Sequence, residues 1–150
     1  MSLSAKIMDA MKSAMKEKNS GALQALRAVK SAILLAQTES GAKEELTETA
    51  ELKLLQKLVK QRKDSAAIYT EQNRADLAEP ELAEAKIIEQ FLPKQMSEDE
   101  VAVVVDEVIA QTGASSMADM GKVMGMVNSK LAGQADGKTI STLVKQRLSS

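Results

Sequence analysis

Apolar residues recur along this chain every three to four positions, the period of an α-helix with one buried side. In the first segment Leu3, Ile7, Met11 and Ala14 share a face, with Lys6, Lys12 and Lys16 outside it. "NSG" at 19–21 breaks the pattern; Ala22, Leu26, Val29, Ile33 and Ala36 then resume it, up to Ser40 and Gly41. Thr47 suits the N-cap of a third, longer helix over 48–72. Leu52, Leu55, Val59, Ala66 and Tyr69 form its stripe, and Arg62 sits inside that stripe. Opposite it, Lys53, Lys57 and Lys60 fall within a narrow arc and make a basic ridge. Such charge runs are ordinarily solvated faces.

Asn73 suits a turn, and Pro80 is read as the first turn of a fourth helix, where proline is tolerated. Leu82, Ile87 and Phe91 give that helix its apolar edge, and Pro93 stops it. The stretch 93–97 divides the chain into a helical N-terminal domain, 1–93, and a compact three-helix domain, 97–150. "SEDE" at 97–100 is a capping box. The helix behind it buries Val101, Val105, Val108 and Ile109 and ends at Gly113. Ser116 then caps a sixth helix, with Asp119 three residues on. Met117, Met120, Met124, Val127 and Leu131 make its expected core stripe. After "GQADG", Asp136 caps a last helix that buries Ile140, Leu143, Val144 and Leu148. No segment alternates with period two, so the expected fold is all-α.

Beside the methionine stripe runs a second one of small residues: Ala118, Gly121, Gly125, Asn128 and Ala132. An interior helical glycine costs about 1 kcal/mol relative to alanine, so two on one face ask for a reason. Two readings stand. Either a neighbouring helix packs closely there, or the smooth face meets the backbone of a ligand. A sugar–phosphate backbone fits the second reading: Lys122 flanks the face, and Lys130, Gln134 and Lys138 are candidates to join it as phosphate contacts.

Composition narrows the chemistry. In 150 residues there are one Phe, one Tyr, no Trp and nine Met, so aliphatic side chains must fill the interior, which suits helices. Cysteine and histidine are absent, which excludes disulfides, thiolate chemistry, zinc fingers and His-dependent bases. With a net charge of −1 no global field attracts nucleic acid or an anionic membrane, so such a partner needs a local patch. No apolar run is long enough to span a bilayer, and "MSLSAKIMDAMKSAMKEK" lacks the apolar centre of a secretory signal. The expected location is cytoplasmic, without membrane contact.

Catalytic machinery is not visible. Ser13–Lys16 and Ser40–Lys43 match the Ser-x-x-Lys spacing of serine acyl-enzymes, but the partner motifs S-D-N and K-T-G are missing. "GASS" at 113–116 reads fully as a helix stop followed by a helix cap. The pairs Glu44–Glu45 and Asp99–Glu100 lie at loops and helix starts, where acids are favoured anyway. Phosphate-binding loops, dinucleotide fingerprints and metal spacings do not occur, so no cofactor, metal or catalytic residue is expected.

"LVKQRKDSAAIY" (58–69), "NRADLAEPELAEAKIIEQFLP" (73–93), "DMGKVMGMV" (119–127) and "GQADGKTISTLVKQRL" (133–148) together resemble the GatB/YqeY family. The resemblance implies an all-helical protein whose C-terminal half is similar to the tail of the B subunit of the tRNA-dependent amidotransferase. That enzyme is a carbon–nitrogen ligase with glutamine as amido donor; its tail binds tRNA, while its catalytic centres lie in other domains and subunits. The tail's Gly-Lys-Val-x-Gly segment corresponds to Gly121, Lys122, Val123 and Gly125, and its Gly-x-Ala-Asn/Asp segment to Gly133, Ala135 and Asp136. Asn73 stands where the family has glycine, and Asp136 where the tail often has asparagine. The implied function is a non-catalytic module that binds tRNA or associates with amidotransferase subunits. The competing class is a protein–protein adaptor whose small-residue face receives a partner helix.

Overall fold

Caps fix where most of the helices begin. In the computed structural model, which describes residues 2–39 and 46–149, the side chains of Ser2, Asn19 and Thr47 accept the N–H of Ala5, Ala22 and Ala50 at 3.1–3.2 Å. They open α1 (Leu3–Lys16), α2 (Ser20–Glu39) and α3 (Glu48–Glu71). The remaining helices are α4 (Ala75–Glu89), α5 (Glu98–Thr112), α6 (Met120–Lys130), preceded by a 3-10 turn at Met117–Asp119, and α7 (Gly137–Ser149). No strand occurs among the described residues; the fold is all-α. The expected end of α2 at Ser40–Gly41, the match Ser40–Lys43 and the pair Glu44–Glu45 lie outside the described residues.

The helices gather into two compact units, Met1–Leu92 and Pro93–Ser150. In the first, α1 packs on α2, and α4 packs on both α2 and α3. Ile7, Leu26, Val29, Ile33, Leu55, Leu58 and Ile88 fill its core, each worth about 1.5–3 kcal/mol when fully buried. Two of its described turns share one geometry. Lys18 and Asn73 adopt left-handed φ values of 56° and 58°, and the residue after each donates its N–H five residues back. This is the Schellman closure, usually built on glycine. The break expected at "NSG" therefore turns on Lys18, while Gly21 lies inside α2.

Pro80 is not in a first turn. Asn73 closes α3 so tightly that α4 starts at Ala75, and Arg74 clamps Asp76 through two hydrogen bonds of 3.1 and 3.0 Å. Pro80 thus falls in the second turn, where its missing N–H leaves the Asp76 carbonyl without its helical donor. Pro80 is exposed, so that gap faces solvent.

In the second unit α5, α6 and α7 pack pairwise around Val101, Val105, Val108, Val123, Val127, Ile140, Leu143 and Val144. Ser97 and Glu100 form the full capping box, and Gly113 ends α5 at φ 67°. The Asp119 carboxylate accepts the N–H groups of Ser115 (3.1 Å) and Ser116 (3.4 Å), which gives "GASS" the stop-and-cap role its sequence suggests. The expected core stripe of the sixth helix needs one correction. Met117 is 42% exposed, whereas Val123 is fully buried at the centre of the stripe. The 3-10 turn causes this: its tighter winding ends the α-helical phase at Met120, so Met117 leaves the stripe that Met120, Met124, Val127 and Leu131 share.

Candidate nucleic-acid interface

At 100° per residue, burying Val123, Val127 and Leu131 turns Gly121, Gly125, Asn128 and Ser129 to the other side of α6. All four are exposed, as is Lys122 beside them. A Cβ placed on Gly121 or Gly125 would meet nothing within 4 Å. Close helix packing within this unit is therefore not what the glycines serve. They keep a strip of helix backbone bare to the surface.

The other expected members separate. Lys130 is nine residues beyond Gly121, about half a turn round the helix, and its Nζ lies 3.4 Å from Gln111 Oε1 at the end of α5. Gln134 belongs to the turn after α6. There Gly133 takes φ 76°, the Gln134 carbonyl accepts the N–H of Met96 at 2.9 Å, and the Gly133 carbonyl accepts from Gln95 Nε2 at 2.7 Å. Lys138 is exposed in the first turn of α7, which Asp136 caps by accepting the N–H of Thr139 at 2.6 Å. The bare strip with Lys122 is thus the coherent part of the expected site. Gln95, not singled out in the sequence, fastens the segment before α5 to the α6–α7 turn; only its three-dimensional partner reveals that role.

Chemically the strip can approach an extended polar backbone and offer it a cation and the Asn128 and Ser129 side chains. Groups of three or more acidic side chains that could hold a metal do not occur among the described residues. Nor is any described helix long and apolar enough to cross a membrane.

A family model described as Yqey-like protein matches residues 4–148. The chain belongs to this family. The E subunit of a glutamyl-tRNA(Gln) amidotransferase from Thermococcus gammatolerans is 40% identical over 73 residues, covering 46% of the chain and 12% of that relative. The altered inheritance of mitochondria protein 41, mitochondrial, of Meyerozyma guilliermondii is 38% identical over 123 residues, covering 78% of the chain and 62% of that protein. The chain thus spans less than two thirds of either relative. Membership agrees with the GatB/YqeY resemblance in its sequence, and one relative is itself part of an amidotransferase.

Proposed function

We propose that this Yqey-like chain is a non-catalytic tRNA-binding module that works alongside a glutamine-dependent amidotransferase. The observation that carries the reading is the open strip of Gly121 and Gly125 with Lys122 at its edge, on the segment whose sequence resembles the amidotransferase tail. Absent side chains let a sugar–phosphate backbone lie against the helix, and the lysine supplies the phosphate contact. The segment shared with an amidotransferase component supports the pairing with that enzyme class. The carbon–nitrogen ligase chemistry of the family stays with the partner enzyme, and the proposed place of action is the cytoplasm; the mitochondrial relative marks the alternative compartment.

Titration of the protein into labelled bulk tRNA at rising salt tests this. Affinity should fall linearly on a log–log scale, as counterion release requires. Lys122→Ala should lower that slope by about one, and Gly125→Leu should abolish binding while leaving the fold intact. Protein supplied with glutamine, ATP and misacylated tRNA should release no ammonia. Salt-insensitive capture of a protein through the same strip would instead support the adaptor reading, which the i, i+4 glycine spacing also accommodates; turnover that survives repurification would overturn the non-catalytic one.

A further inference from the structure

The N-terminal unit carries a feature that the tRNA reading does not use. Between α1 and α2 lies a cleft of about 180 Å³, floored by the buried Ile7 and Ile33 and walled by Met8 and Leu34. Those walls are 43% and 55% exposed, large values for apolar side chains standing at a cleft mouth. Lys30 stands at the rim, exposed, and among the described residues no acidic side chain lines the cleft. The surrounding hairpin, residues 2–39, holds six basic residues against three acidic ones, although the whole chain has net charge −1.

We propose that the α1–α2 cleft docks an acidic amphipathic helix of a partner protein, anchored by one large apolar side chain. The volume sets the anchor: a cavity of about 150 Å³ lined by aliphatic side chains accepts one benzene-sized group, so this cleft takes one Leu or Phe. Two packed helices present a groove into which a third can lay its apolar ridge. Charge selects which third helix. The exposed Lys30 at the rim and the basic hairpin favour a helix with Asp or Glu one turn from its anchor and disfavour a basic one. Methionine at the wall suits the task, because its flexible thioether adapts to different anchors.

The test uses the full chain and three fluorescein-labelled helical peptides of equal length. One has a central Leu and Phe ridge flanked by Glu, one has the same ridge flanked by Lys, and one has Ala in place of the ridge. The first should bind, and the other two at least tenfold more weakly. Leu34→Glu should cost the acidic peptide at least tenfold. Lys30→Glu should weaken the acidic peptide and strengthen the basic one. Both positions are exposed, so circular dichroism of the variants should match the parent. Equal binding of acidic and basic peptides, or binding indifferent to both substitutions, would overturn the proposal. So would concentration-dependent self-association abolished by Leu34→Glu, which assigns the cleft to a second copy. Flotation with anionic vesicles abolished by the same change would overturn it in favour of a membrane surface. tRNA binding by Lys30→Glu and Leu34→Glu should equal that of the parent, which separates this result from the fate of the glycine strip.

Discussion

In the first unit the core is built mainly on leucine and isoleucine, and large apolar side chains such as Met8, Met15, Leu34, Leu35, Ile68 and Leu82 still stand exposed. In the second the core is built mainly on valines, and its notable surface is a helix face with no side chains at two positions. The first unit starts α1, α2 and α3 with single caps and holds a half-buried ion pair between Arg62 and Glu84. The second closes its turns with a capping box, left-handed glycines at 113 and 133, and the Gln95 and Asp136 hydrogen bonds. Apolar excess and backbone exposure suit different partners: the one an apolar anchor, the other a polar chain. Two small units sharing a family pattern can therefore serve different contacts.

The strongest way to break this comparison is to cut each core. Ile88→Ala and Ile140→Ala remove side chains that are 0% and 1% exposed, and each should destabilise its own unit by ~2–5 kcal/mol. If the units are separately cooperative, denaturant melts of either variant should split into two transitions, with only the injured unit's midpoint moved. A single shifted transition for both would show one cooperative block and remove the basis for treating the units apart.

Next in size is the ion pair peculiar to the first unit. Arg62 Nε lies 3.3 Å from Glu84 Oε2, with side chains 15% and 17% exposed, yet that N–H finds no hydrogen-bond acceptor in good geometry. Only a second guanidinium nitrogen reaches a carbonyl, that of Leu58, at 3.2 Å. Glu84→Ala should therefore cost ~1–3 kcal/mol, short of the ~3–5 kcal/mol seen when fully buried pairs are broken. The double change Arg62→Met with Glu84→Leu should recover most of that loss, since apolar replacements leave no stranded charge. A double variant no more stable than Glu84→Ala would mean the pair itself, and not its stranding, sustains the unit.

What the sequence discloses follows the range of the forces involved. Thr47, Ser97, Gly113 and Asp136 act within one turn of themselves, so their roles can be read from their neighbours. Pro80 and Met117 escape such a reading because other residues set their phase: Asn73 and the Arg74–Asp76 clamp start α4 early, and the 3-10 turn shifts the start of α6. The side-by-side placing of Gly121, Lys122 and Gly125 follows from helical period alone. Gln134 depends on a turn whose geometry rests on Gln95, some forty residues earlier in sequence, and no local pattern carries that information.

Smaller effects sharpen the contrast at the surface of the second unit. With open space around both glycines, Gly121→Ala and Gly125→Ala should each stabilise by up to ~1 kcal/mol. Thermal melts of Gly125→Leu discriminate further. An overpacked core site would lose ~1–3 kcal/mol, while the open strip should lose nothing. A large loss would show that the strip is packed, and the interface built on it would fall with that result.

The smallest expected effect separates the units by how each holds one exposed carboxylate. In the first, the hydrogen bonds from Arg74 hold Asp76 below the usual carboxylate range, the backbone N–H groups of Asp76 and Leu77 adding less. In the second, Glu100 is held low first by the backbone N–H of Ser97 and only then by the Ser97 side chain, with the charge of Lys94 adding a little. Both shifts are depressions. Each carboxylate therefore contributes stability that is present above its unfolded value and lost as pH falls through its folded one. Carboxyl titration by NMR should place both midpoints below those of the unfolded chain. Arg74→Ala should return Asp76 most of the way to its ordinary value, because the chief donor is a side chain. Ser97→Ala should move Glu100 less, because its chief donor is backbone and survives the substitution. Raised salt should shrink the Asp76 depression, which rests on an exposed ion pair, more than that of Glu100. If Ser97→Ala released Glu100 fully while Arg74→Ala left Asp76 unmoved, the contrast between a side-chain clamp and a backbone cap would be the wrong account of the two turns.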